Sequence, residues 1–171
     1  MKMDFLSKSV LKISALTFAI AATASCTAMA TGTDHQTANA TSSTAITLGN
    51  AATTSGTNDT VAIGSQANAG LNSATAVGGQ ANAAGLGSTS IGWQSKATAE
   101  RAQAFGHLAN ASGVRSTAVG EAAMAGGNND TVAVGNKANA GLNSATAVGG
   151  EANAAGLGST SIGWQSKATA E

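Results

Sequence analysis

Large apolar residues recur along this chain at one place, immediately before a glycine. They are Leu48, Ile63, Val77, Ile91, Phe105, Val119, Val134, Val148 and Ile162. The glycines that follow are Gly49, Gly64, Gly78, Gly92, Gly106, Gly120, Gly135, Gly149 and Gly163, spaced by 14 residues six times and by 15 twice. A short fixed period implies one small unit stacked on itself. Two positions ahead of each large residue stands Ile46, Val61, Thr75, Thr89, Gln103, Thr117, Val132, Thr146 or Thr160, mostly β-branched. Residues two apart share a strand face, so each segment predicts a short strand with this bulky side buried.

Three and five positions after each periodic glycine the residues are small, as in Ala67 and Ala69, Ala81 and Ala83, Ala109 and Ala111, or Ala138 and Ala140. This predicts a second short strand whose inward face has room only for methyl groups. A further glycine usually follows (Gly56, Gly70, Gly85, Gly113, Gly141, Gly156) and is expected to supply the positive φ of a sharp turn. Strand, turn, strand, turn makes one rung of a β-solenoid. Nine rungs at ~4.8 Å give a rod about 43 Å long. A helix is excluded, because two glycines per rung would each cost about 1 kcal/mol in a helix interior. The G-G-x-G-x-D repeat of calcium-binding rolls does not occur.

A longer repeat overlies the first. Residues 60–100 recur as 131–171 with four changes: Ile63 to Val134, Ser65 to Asn136, Gln66 to Lys137 and Gln80 to Glu151. The 71-residue offset equals four rungs of 14 and one of 15, and the extra residue falls before Asn58-Asp59 and Asn129-Asp130. Copying whole rungs preserves every neighbour contact. The apolar change keeps a β-branched residue at what this pattern treats as a core position.

The chain has 171 residues and zero formal net charge, so no charge-driven partner and no nucleic acid is implied. Only 9% of residues are charged and 3% aromatic, and Leu, Ile, Val and Phe are scarce. A lone rung of this composition buries too little apolar area to offset chain entropy, so stacking and oligomerisation must supply the rest. The start differs in kind. Lys2, Lys8 and Lys12 precede an apolar run from Ile13 to Ala24, which is shorter than the ~20 residues that span a bilayer. Ala28-Met29-Ala30 suits a signal peptidase, giving a signal peptide over 1–30, a linker over 31–43 and a repeat domain over 44–171. An uncleaved N-terminal anchor is the alternative. Cys26 follows Thr23-Ala24-Ser25, close to a lipobox but without its aliphatic residue, so lipidation stays open. Cleavage after Ala30 leaves no cysteine, and stability then rests on packing without disulfides.

Segments such as DTVAIGSQANAG (59–70), SATAVGGQANAAG (73–85) and RSTAVGEAAMAGG (115–127) resemble the head repeats of trimeric autotransporter adhesins, the YadA-like head, over about residues 44–171. The resemblance implies a left-handed parallel β-roll and a homotrimer. It also implies attachment of bacteria to host cells or extracellular matrix from the cell surface or outer membrane. A thin rung that cannot stand alone agrees with three rolls packing together. In the family a head motif N-S-V-A-I-G-x-x-S is associated with collagen binding. The nearest match is Asp59, Thr60, Val61, Ala62, Ile63 and Gly64, which keeps V-A-I-G but replaces the Asn and both Ser positions. The same residues also serve as a strand. No heptads or alternating barrel strands stand for the family's stalk and C-terminal anchor, so a truncated product, a gene fragment or an anchorless exported head are the readings here.

Nothing in the pattern is catalytic. His35 lies in the linker and His107 after a periodic glycine, and no Ser-His-Asp or metal-ligand spacing recurs with the rungs. The left-handed β-helix acyltransferases repeat every six residues around a catalytic His, which this period does not match. No enzyme activity, cofactor, metal or small-molecule substrate is therefore expected. Trp93 and Trp164 are the most distinctive side chains, each within Gly-Trp-Gln-Ser-Lys-Ala-Thr-Ala-Glu. Other rungs place Asn, Ser, Gly, His or Glu there, which marks an outward or edge-facing site. A trimer would show the tryptophans as two rings about 24 Å apart, either as binding anchors or as caps over grooves between subunits. The threonine row could in principle match ice, but it shares the face assigned to the core. An exported structural fibre without host-binding activity is the stronger rival.

Overall fold

The computed structural model describes residues 44–169. The expected signal peptide and linker, with Cys26 and His35, lie outside the described residues. Each rung contributes two strands. The longer ones have three residues: Ile46–Leu48, Val61–Ile63, Thr75–Val77, Thr89–Ile91, Gln103–Phe105, Thr117–Val119, Val132–Val134, Thr146–Val148 and Thr160–Ile162. The shorter ones have two, from Thr53–Thr54 and Asn68–Ala69 to Asn153–Ala154 and Lys167–Ala168. They form two nine-stranded parallel sheets, with no helix among the described residues. The chain is thus an all-β solenoid of about nine turns.

Register follows the period. Thr75 pairs with Thr89 and Val77 with Ile91, and in the short sheet Asn68 pairs with Asn82. The 15-residue intervals leave this intact, since Ile46 pairs with Val61 and Thr117 with Val132. The extra residue is absorbed in a turn. There the Asn72 carboxamide oxygen of the next rung accepts from Thr57 N at 2.7 Å, and Asn143 does the same for Asn128 N at 2.6 Å. An added backbone N–H thereby finds a partner where the ladder offers none.

The core differs from the expectation. The buried apolar side chains are all alanine, and the central residue of the longer strand (Ala62, Ala76, Ala104, Ala118) is fully buried. The bulky residues on either side of it point outward: Val61 and Ile63 are half-buried, and Leu48 and Ile91 are 39% and 38% exposed. Strand alternation was read in the correct period but with the wrong face inward. The inward residues facing it are small, mostly alanine with Thr54 and Ser95 among the exceptions, so the space between the sheets is narrow and alanine fills most of it. The Ile63-to-Val134 change and the threonine row of Thr75, Thr89, Thr117, Thr146 and Thr160 therefore lie on the outer face.

The second turn also differs. All nine periodic glycines have φ between 121° and 134°, and the first turn closes by Ala81 N donating to Gly78 O at 3.2 Å. In the second turn, however, the positive φ falls on Asp59, Ser73, Gly87, Arg101, Arg115, Asp130, Ser144 and Gly158. Gly56, Gly70, Gly85, Gly113, Gly141 and Gly156 do not adopt it. The requirement at Gly56 is closeness instead, because a Cβ there would lie 2.5 Å from the Leu71 carbonyl carbon. Gly141 meets nothing nearer than 3.9 Å, and the structure gives no reason for it.

Candidate binding surface

Two surfaces of the solenoid carry side chains that its own folding leaves exposed. The first is the row of residues directly after the periodic glycines. The backbone turn there projects each side chain outward, and one rung's residue stands above the next. Trp93 has Gly79 on one side, so close that a Cβ on Gly79 would be 3.1 Å from Trp93 Cδ1. On the other side its ring stacks on His107, with centroids 4.9 Å apart and planes 15° apart. His107 Nδ1 lies 3.5 Å from Glu121 Oε1, and Asn136 Nδ2 donates to Glu121 Oε2 at 3.3 Å. From Gly79 to Asn136 a continuous run of contacts therefore links five rungs.

Trp164 occupies the equivalent place over Gly150, with the corresponding separation 3.2 Å. It is 74% exposed against 52% for Trp93. Beside each tryptophan an amide ladder crosses the rungs: Gln94 Nε2 donates to Gln80 Oε1 at 2.6 Å, and Gln165 Nε2 to Glu151 Oε2 at 2.8 Å. The Gln80-to-Glu151 change keeps this hydrogen bond. The two tryptophans share a row but do not meet, being five rungs apart.

The second surface is the outer face of the longer strands. It combines the row ending in Leu48, Ile63, Val77, Ile91, Phe105, Val119, Val134, Val148 and Ile162 with the β-branched row two residues earlier. Within residues 59–64, this face holds Val61 and Ile63, while Thr60 and Ala62 are fully buried and Asp59 is exposed. The collagen-motif-like segment is thus divided between interior and exterior, and every second residue is inaccessible.

Charge is sparse. Arg115 and Asp130 pair bidentately across neighbouring rungs, Nε to Oδ1 at 2.7 Å and the terminal Nη2 to Oδ2 at 2.8 Å, each half exposed. The Arg115 hydrogen bonds hold the Asp130 carboxyl below its ordinary range, and the same pair raises the guanidinium. No group of three or more potential metal ligands occurs among the described residues. No helix among the described residues is long and apolar enough to cross a membrane.

The Trp93–His107 contact and the roles of Asn72 and Asn143 were not anticipated from sequence. The signal was nevertheless present, since 93 and 107 differ by one period, and each Asn follows a 15-residue rung.

Stacked parallel rungs enclose a narrow interior of alanine with a few serines and threonines, and their bulky residues lie outside. The YadA head domain repeat model matches residues 58–81, 72–95, 83–109, 97–123, 111–138, 143–166 and 154–171, and the chain belongs to that family. No match is found among curated proteins. The family stands for adhesin-type heads of trimeric autotransporters at the bacterial surface, a structural rather than an enzymatic kind.

Proposed function

We infer that the chain is the head of a homotrimeric adhesin that attaches bacteria to host cells or extracellular matrix. The observation that carries this reading is the inverted core. A solenoid whose only buried apolar side chains are alanine, and which leaves nine large apolar residues in one outer row, has not completed its burial within a single chain. Burying such a side chain fully from water contributes roughly 1.5–3 kcal/mol; these start partly buried, so association adds a fraction of that at each of nine positions. Symmetry-related copies of one row meet naturally about an axis parallel to the rod.

With that face used in assembly, host recognition falls to the turn rows. Trp93 and Trp164 are the proposed anchors. Trp164 has the freer ring, whereas Trp93 is held between Gly79 and His107 and presents its edge. Repetition in three chains would raise avidity. The segment from Asp59 to Gly64 is a weaker candidate for collagen, because Val61 and Ile63 belong to the assembly face.

The test is binding of the purified head to cultured cells and to a panel of matrix proteins including collagen. The reading expects saturable binding that weakens when Trp93 and Trp164 are both replaced by alanine, with trimer melting nearly unchanged. Loss of the trimer in that variant would make the tryptophans groove caps. Absence of any binding by the wild-type head would favour an exported structural fibre.

A further inference from the structure

Both 15-residue rungs end in the same tripeptide, Asn58-Asp59-Thr60 and Asn129-Asp130-Thr131. This is the Asn-x-Thr form that N-linked sugar transfer requires. The fold leaves both reactive groups of the tripeptide without a use. Thr60 and Thr131 are 0% exposed, and their hydroxyls have no hydrogen-bond partner. A buried, unpaired hydroxyl is unfavourable, and valine would fill the same space without it. The space itself does need a branched residue: the Thr60 methyl occupies the volume that a side chain on Gly56 would take. In the same row Ser88 and Ser159 donate to turn carbonyls at 2.7 Å, while Ser116 is also unpaired.

The asparagines show the complementary condition. Asn68 and Asn82, or Asn139 and Asn153, bond one another along the short sheet. Among the described residues no side-chain hydrogen bond engages Asn58 or Asn129, which stand exposed on the widened turns; their backbone carbonyls accept from Ser73 N and Ser144 N. A substituent on either Nδ2 would project into solvent without disturbing a strand. Asn110-Ala111-Ser112 has the same form, but its Asn is half-buried on a strand between Lys96 and Met124.

We propose that Asn58 and Asn129 are N-glycosylation sites, modified before the rungs fold and carrying sugar on the two widened turns of the head. The co-substrate is a sugar activated as a diphosphate ester. Asn Nδ2 bonds to the anomeric carbon, the carbon–oxygen bond to the diphosphate breaks with its electron pair leaving on the diphosphate, and the amide proton passes to a base of the transferase. The order is set by Thr60 and Thr131, whose hydroxyls are accessible only in the unfolded chain.

The test is peptide mass spectrometry of the full chain isolated from the bacterium that encodes it, beside Thr60→Val and Thr131→Val variants. The expected result is a sugar mass on the peptides containing Asn58 and Asn129, lost in the corresponding valine variant. Both variants should melt at or above the wild-type temperature, showing that the loss does not arise from misfolding. Unmodified Asn58 and Asn129 in the wild-type chain would overturn the proposal, as would sugar retained in the valine variants.

Discussion

Trp93 lies flat against His107 of the next rung, 4.9 Å between ring centroids and 15° from parallel. An aromatic pair of this kind contributes about 0.5–1.5 kcal/mol beyond area burial. It also shields one face of the only tryptophan with a described rung above it. In a Trp164→Phe background, His107→Ala should shift Trp93 emission to longer wavelength and increase its quenching by acrylamide. An unchanged spectrum would mean that the stack is absent in solution.

The periodic glycines are constrained twice over at inner rungs and once at the last. Gly78 has φ 130°, and a Cβ there would also fall 2.6 Å from the Gly92 carbonyl oxygen. Gly163 has φ 121°, but its Cβ would meet nothing nearer than 3.9 Å. Gly163→Ala should therefore cost only the backbone strain, about 1–3 kcal/mol. Gly78→Ala adds an overpacking cost of about 1–3 kcal/mol. Denaturant melts of the two variants check this, and equal costs would contradict it.

Ser90 and Ser95 face each other across the core at 2.7 Å, in a rung whose neighbours hold alanine at both places. Ser95 Oγ also donates to Gly92 O at 3.0 Å, so Ser90 must be the donor to Ser95. The two substitutions are thus unequal. Ser95→Ala strands the Ser90 hydroxyl and should cost about 1–3 kcal/mol, Ser90→Ala about 1 kcal/mol or less, and the double variant should return close to wild type. Additive losses in a double-mutant cycle would refute the pairing.

The Arg115–Asp130 pair gives the head a small acid sensitivity. Asp130 is held below its ordinary carboxylate range, by the Arg115 hydrogen bonds first and by that residue's charge. A lowered folded-state pKa contributes stability above the unfolded value, which is lost as pH falls through the folded value. The melting difference between wild type and Asp130→Asn should stay constant from neutral pH to about 5 and close below about 4. Added salt should reduce it at neutral pH, because the pair is exposed. A gap that widens on acidification would have the wrong sign.

Much of this fold was legible in the sequence, because a period is independent of which face is buried. Gly49 to Gly163 set the rungs, and the small residues at Ala67 and Ala69 marked the second strand. What the pattern could not decide was orientation. A three-residue strand such as Val61–Ile63 puts two bulky residues on one face and one alanine on the other, and hydrophobicity alone favours burying the pair. The width of the space is set by the opposite sheet, and that comparison reverses the choice. The second turn was misread for a related reason. Glycine signals either positive φ or close approach, and at Gly56 it is the neighbouring rung at Leu71 that forbids a side chain. At the candidate surface, sequence singled out Trp93 and Trp164 but not His107, which acquires meaning only from the residue one rung away.

The central claim is that the outer apolar row drives assembly while the narrow, alanine-rich interior and the backbone ladders hold each roll together. Light scattering of the head after size exclusion, for wild type and for Val77→Asp with Val148→Asp, tests it most directly. The prediction is a mass of three chains for wild type, and a mass of one chain for the variant with its β-sheet signal retained. A wild-type monomer, or a variant that remains trimeric, would contradict the claim.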